Sequence, residues 1–411
     1  MHLRRPFAAT AVAAAVLSAA STLGGSAAHA DPPPAAAAHS QRSCAHTTGD
    51  VAACDAVVRT DIVDQFDPPA AGNGTAAPAA QGLPAGYGPS DLRSAYNLTG
   101  LGSAATVAVV DAYDDKSAES DLATYRAMYG LAPCTTVNGC FRKVNQSGGA
   151  SVYPPANGGW AQEISLDLDM VSAICPGCKI LLVEANSASL ANLGTAVNTA
   201  ARLGAVAISN SYGTSDLADS TYGSYYNHPG IAITASTGDS GVGAGYPASS
   251  AYVTAVGGTS LRRDSSSRGW AETAWSGAGS GCSQYNAALS AAASFTTGCA
   301  RRAEADVSAV ADPYTGVAVY DSVRYQGLSG WLVFGGTSAA APIIASVYAL
   351  AGDASSVNYP NSLPYLRYGA TTVNDVTSGS NGACFPLVLC TSGASWDGPT
   401  GLGTPNGTAA F

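Results

Sequence analysis

Short apolar runs of strand length alternate with helically spaced segments along most of this chain, and nothing else in it narrows the fold so far. Residues 105–111 (ATVAVVD), 180–184, 205–209, 231–236 and 252–256 read as strands. Residues 121–129, 163–173 and 190–203 carry helical spacing, and 338–352 form a long apolar helix. Alternation of this kind implies an α/β architecture: a mostly parallel sheet with helices on both faces. Side chains that do chemistry in such folds sit just beyond the carboxyl ends of the strands.

The amino terminus sets an expected compartment. Arg4 and Arg5 precede an apolar run from Phe7 to about Gly24, and Ala28-His29-Ala30 offers a small-residue cleavage site. Residues 1–30 therefore read as a signal peptide rather than an anchor, and the product as secreted and extracellular. Residues 31–85 are rich in Ala, Pro and Gly and read as a short propeptide or linker. From Gly86 to Phe411 the texture is that of one large domain. The ten cysteines fall as local pairs, 44/54, 134/140, 175/178, 282/299 and 384/390. An even count in an exported chain points to disulfides, and nearest-neighbour pairing is the simplest arrangement, although spacing alone does not fix it. Cys175-Pro-Gly-Cys178 lacks a second such pair and nearby histidines, which disfavours zinc or redox work. A net charge of −10 argues against nucleic acid as a partner. Charged residues make up only 11% of the chain, a composition that loses few ion pairs when carboxylates protonate.

The strongest local signal is Gly335-Gly336-Thr337-Ser338-Ala339-Ala340-Ala341-Pro342. A strand at 331–334 ends in two glycines, and a serine opens an apolar helix whose first turn contains a proline. An isolated serine here would be read as an N-cap. A helix N-terminus also favours negative charge developing beside Ser338, as at a nucleophile. Such a nucleophile needs a base. The histidines are His2, His29, His39, His46 and His228, and only His228 lies beyond residue 86, in a polar loop. Glu163 and Asp167, by contrast, are four residues apart on one face of a helix flanked by Ile164, Leu166, Leu168, Met170 and Val171. Two like charges on a buried face are unfavourable unless they share a proton. Asp169 lies on another face and reads as structural.

Gly336-Thr337-Ser338 with Pro342, and Glu163-x-x-x-Asp167 followed by Ala173, Pro176-Gly177 and Lys179-Ile180, resemble the motifs of sedolisins, the serine-carboxyl peptidases of subtilisin-like fold. The resemblance implies Ser338 as nucleophile, Glu163 as general base and Asp167 as the residue that orients it. Asp239, in Thr237-Gly238-Asp239-Ser240-Gly241, would line the oxyanion hole. A trypsin-like reading of Ser240 would require an all-β chain and a usable histidine. Asp111, at the end of the first strand, falls outside the implied triad. The carboxyl-terminal tail resembles the family's calcium segment, implying one structural Ca²⁺ held by Asp375, Val376, Gly393, Ser395 and Asp397. The expected function is a monomeric secreted endopeptidase, made as a zymogen, cutting proteins or peptides at acidic pH, with no nucleic-acid or membrane partner after leader removal. The rivals are an inactive peptidase-fold binding module and a protease dependent on His228. The family's large folded prodomain has no counterpart in residues 31–85.

Overall fold

The computed structural model describes residues 39–63, 82–100, 102 and 104–411, so the leader reading at 1–30 lies outside the described residues. The amino-terminal segment supplies β1 (Ser40–Arg42), β2 (Ala53–Cys54) and β3 (Val57–Val63). Helix α1 (Pro89–Ala95) leads into β4 (Thr106–Ala112), α2 (Ala118–Met128), β5 (Phe141–Asn145), α3 (Gly158–Ile174), β6 (Lys179–Ala185), α4 (Leu190–Arg202), β7 (Ala207–Asn210), β8 (Tyr212–Ser215), α5 (Asp219–Tyr222) and β9 (Ala232–Ser236). There follow β10 (Gly245–Tyr246), β11 (Thr254–Arg263), β12 (Trp270–Ala274), β13 (Gly281–Cys282), β14 (Ala303–Glu304), β15 (Val307–Val310), β16 (Val317–Tyr325), β17 (Leu328–Gly335) and α6 (Thr337–Ala351).

The central sheet runs β12-β11-β9-β7-β4-β6-β5, with β15 also beside β11. Every pairing in it is parallel except β11 with β12. Alternation along β4 explains why both faces are covered. Val107 and Val109 join the core that includes Ile164, Val171, Ile343 and Ile344 from α3 and α6. Ala108, Val110 and Ala112 join the opposite core, with Leu193, Ala196 and Val197 from α4. Small and β-branched residues at both parities let a strand sit between two helical layers. The predicted strands and helices recur with ends shifted by up to seven residues, the largest shift at the carboxyl end of β11.

A second sheet, β1-β3-β17-β16, is antiparallel and was not anticipated. Residues 39–63 belong to the same compact unit as the residues beyond Gly86. Low-complexity composition between residues 64 and 85 hid a strand, VVRTDIV, whose partner lies far along the chain. All five cysteine pairs form the nearest-neighbour disulfides. Among the described residues, no helix is long and apolar enough to cross a membrane.

One buried ion pair ties the sheet to the carboxyl-terminal region. Arg302 Nη1 donates to Asp306 Oδ1 at 2.8 Å, and both residues are buried. Asp306 also accepts from the Ala255 amide at 2.7 Å and from the Tyr365 hydroxyl at 2.6 Å. Replacing Arg302 by Met strands a buried carboxylate and should cost about 3–5 kcal/mol. Denaturant unfolding of Arg302→Met and of the Arg302→Met/Asp306→Asn double variant checks this, with part of the loss expected to return in the double variant.

Candidate active site

Helix α3 starts because Asn157 caps it, its side chain accepting from the Gly159 and Trp160 amides at 3.0 and 3.2 Å. All of its residues from Gly159 to Ile174 are buried. It packs against α6 and β16, so its polar side chains meet protein on every side. Asp169 points to β16 and accepts from the Tyr320 amide at 3.0 Å, in keeping with a structural role. Glu163 and Asp167 share the other polar face. Both are fully buried, and burial is the main reason their pKa values stand well above the usual carboxylate range. Asp167 adds to the rise at Glu163, and Asp111 adds to it at both.

Asp111 sits at the end of β4 with the parity of Val107 and Val109, which turns it toward α3. Its carboxyl oxygens are buried without a hydrogen-bond partner, and burial lifts its pKa to about 8. It is thus a third carboxyl group beside the predicted pair. Asp167 Oδ1 accepts from Ser211 Oγ at 2.7 Å, whereas neither oxygen of Glu163 has a hydrogen-bond partner in this conformation.

Ser338 lies in the first turn of α6, directly after β17. Gly336 makes that junction possible: its φ is +91°, and a Cβ there would fall 1.9 Å from the carbonyl oxygen of Asp55 and 2.7 Å from Asp239 Oδ2. Ser338 is fully buried, and its Oγ donates to the Ser211 carbonyl at 3.2 Å. The serine hydroxyl is also close enough to Glu163 to offset part of that group's rise in pKa. Ser338, Glu163, Asp167 and Asp111 therefore form one buried cluster, with Ser211 bonded to both the serine and Asp167.

Asp239 follows β9, as predicted. Its Oδ1 accepts from the Thr337 amide at 2.7 Å and from Thr337 Oγ1 at 2.9 Å. Oδ2 is buried with no hydrogen-bond partner. Burial, reinforced by nearby Asp55, raises the Asp239 pKa to about 8, so this carboxyl can carry a proton and donate it. Asp55 was not foreseen here. Its side chain accepts from Ser236 Oγ at 2.8 Å, and burial raises its pKa to about 6.

His228 lies before β9, at the opposite end of that strand from Asp239, and its Nε2 contacts Asn198 Oδ1 at 2.9 Å and the Tyr225 carbonyl at 3.1 Å. His46 is exposed at the mouth of the cleft lined by Asp55, Thr237 and Asp239. The predicted calcium residues lie on two segments, 375–376 and 393–397, which meet where the Ser395 amide reaches Asp375. Asp397 is buried, with Oδ2 accepting from the Gly393 amide at 3.1 Å and Oδ1 from Ser392 Oγ and from Thr400. Asp375 Oδ2 accepts from the Ser395 amide at 2.9 Å. Val376 is buried next to Asp375, and Ser395 has φ +71°.

The fold and this arrangement define a class: a subtilisin-like α/β protein with a helix-opening serine set against buried carboxyl groups. Residues 155–363, just over half of the chain, match the subtilase family (Peptidase S8). The chain belongs to the subtilase family, in its sedolisin branch. It is 28% identical over 364 residues to kumamolisin of Bacillus sp. (strain MN-32), covering 79% of this chain and 63% of that relative. With sedolisin of Pseudomonas sp. (strain 101) it shares 33% over 175 residues, 39% of this chain and 28% of the relative. The chain thus spans less than two thirds of these relatives. The structure of Pseudomonas sedolisin, a serine-carboxyl proteinase complexed with two molecules of pseudo-iodotyrostatin, superposes with a TM-score of 0.64 at 25% identity, over 78% of this chain and 95% of that one.

Carboxyl groups held protonated in the fold have a thermodynamic sign. Asp111 and Asp239 rise from an ordinary 3.8 to about 8, so across that window the folded state holds protons that the unfolded state has released. Stability is fully present below the unfolded value and falls as pH climbs toward the folded one. The melting temperature should therefore decline from mildly acidic to mildly alkaline buffer, and Asp111→Asn should flatten the decline. Calorimetry across that range checks both.

Proposed function

We propose that this chain is an exported serine-carboxyl endopeptidase that hydrolyses peptide bonds of proteins at acidic pH. One observation carries the reading: the helix-opening serine is buried against a carboxyl cluster that contains no histidine. Ser338 Oγ attacks the substrate carbonyl, and Glu163 takes its proton. Asp167, anchored by Ser211, orients Glu163 and shares its proton. The Ser338 amide and protonated Asp239 Oδ2 donate to the developing oxyanion. Collapse expels the amine with the proton from Glu163, and water then releases the acyl group by the reverse path. Desolvation supports this division of labour, because Glu163, Asp167 and Asp111 make no salt bridge among the described residues, and such a cluster keeps some carboxyl groups neutral and one basic enough to work.

The carboxyl-terminal loop is proposed to hold one structural Ca²⁺. Asp375 and Asp397 bracket it, and carboxylate and main-chain oxygens suit this cation. Asp397 Oδ2 receives one hydrogen bond, which leaves it acceptor capacity. Val376, Gly393 and Ser395 would contribute main-chain oxygens.

Three measurements test the catalytic reading. Activity on a denatured protein should peak at acidic pH, falling below it as Glu163 protonates and above it as Asp239 ionises. Glu163→Gln should lose about 10²–10⁴-fold in turnover, or more if the cluster acts as a unit. His228→Ala should leave the profile unchanged. A chain inert toward denatured protein at every pH would instead be a binding module. Loss of activity in His228→Ala with Glu163→Gln fully active would make it a histidine-dependent protease.

The calcium reading has its own readout. A chelator should lower the melting temperature, since a ligand bound only by the folded state stabilises it by linkage. Asp397→Ala should abolish that sensitivity, and an unchanged melting temperature with chelator would exclude the site.

A further inference from the structure

Residues 276–300 and 376–396 contain no Asp, Glu, Lys, Arg or His. Each stretch carries one disulfide, Cys282–Cys299 and Cys384–Cys390. The fold brings them together at the rim of the cleft. Asn381 Nδ2 donates to the Ala278 carbonyl at 2.6 Å and to Ser280 Oγ at 2.7 Å. A Cβ on Gly241 would fall 2.5 Å from the Asn381 carbonyl oxygen, and one on Gly382 would fall 3.0 Å from Val242 Cγ2. Gly241 and Val242 line the cleft that holds Asp239. The chain from Asn381 onward therefore continues the cleft wall.

That wall ends in an apolar knuckle. Phe385 is 95% exposed and Leu387 66%, and Val242 at the cleft itself is 43% exposed. The knuckle is braced rather than slack. The Cys384–Cys390 disulfide closes it, and the Asn381 amide donates to the Cys390 carbonyl at 3.0 Å. The Leu389 and Cys390 amides donate back to the Pro386 and Leu387 carbonyls at 3.1 and 3.0 Å. Leu389 is buried in a small core with Trp396 and Leu402, and Val388 packs against it. A Cβ on Gly298 would fall 2.5 Å from Pro386 Cγ, so the other uncharged stretch supports the knuckle from beneath. Leu389 and Val388 anchor the loop, while Phe385 and Leu387 face outward. Single exposed apolar residues are ordinary, but large ones held together on a rigid rim mark a contact surface.

We propose that Phe385 and Leu387 form a capture surface for apolar side chains of unfolded protein substrates. This rests on the peptidase reading and deepens it, because it makes unfolded, apolar-rich protein the preferred substrate over short peptides. Continuity and charge identify the occupant. A substrate chain that runs out of the cleft past Val242 meets the knuckle next. Unfolded protein in acid is cationic, its carboxyl groups being protonated. A rim without charged side chains does not repel such a chain and does not change with pH, so apolar contact alone sets the attraction. A lipid surface also accepts exposed Phe and Leu, but the Lys and Arg that would meet anionic headgroups are missing from both stretches.

The test measures kcat and KM of the full chain on two substrates at acidic pH. One is reduced, carboxymethylated lysozyme, and the other a chromogenic hexapeptide too short to leave the cleft. Phe385→Ser/Leu387→Ser should raise KM for the unfolded protein about 10-fold with kcat held, the effect of losing partial burial of two apolar side chains. Its kcat/KM on the hexapeptide should be unchanged, and so should its melting temperature, since both side chains are exposed. Phe385→Leu, which stays apolar, should keep KM close to that of the parent chain. An equal loss on both substrates, or no loss on either, would overturn the capture surface and leave the peptidase reading standing. An unchanged KM with lost binding to phosphatidylcholine vesicles would make the knuckle a membrane contact instead. No hydrolysis of either substrate by the parent chain would overturn both readings.

Discussion

Everything in this site follows from burying carboxyl groups where no cation waits for them. Glu163, Asp167 and Asp111 are completely enclosed, and among the described residues none of the three makes a salt bridge. An isolated carboxylate in such a place is prohibitively expensive, so the groups keep or share protons instead. A buried histidine would have resolved the problem by becoming a cation. This architecture resolves it by proton count, which ties the fold's integrity and the state of its serine to the same variable.

The surrounding structure serves that enclosure. Helix α3 can be buried on all sides only because α6 and β16 cover the faces that the central sheet does not. Gly335 and Gly336 let β17 turn into α6 with no side chain in the way, which brings the Ser338 amide against its neighbours. Ser211 links the two halves of the site, its hydroxyl on Asp167 and its carbonyl receiving Ser338 Oγ. The outlying ion pairs, such as Lys143 with Glu184 at 2.8 Å, lie where a charge can be matched.

The sheet was legible because its strands are apolar at both parities, and α3 because its acidic pair stands at helical spacing within an apolar run. Ser338, Glu163, Asp167 and Asp239 each stood beside a strand end or on a helix face that local pattern could identify. The antiparallel sheet was not legible. Strand β3 pairs with a partner more than 250 residues later, and its sequence, with Arg59 and Asp61 at its exposed end, looks like loop. Asp111 could have been placed by strand parity, since it continues the series Val107, Val109. Asp55 could not, because no local rule says that a short Ala-Cys-Asp stretch will lie across a site built from residues 160 to 340.

The crosslinks carry a consequence for how such a chain can be made. The five disulfides join cysteines 10, 6, 3, 17 and 6 residues apart. Each ring is small, so closing it takes little from the freedom of the unfolded chain as a whole. Each pair can find its partner as soon as a short stretch has emerged, before the distant strands that it borders exist. Correct pairing therefore requires no knowledge of the final topology, and the search for long-range strand order does not have to finish before the sulfur chemistry can.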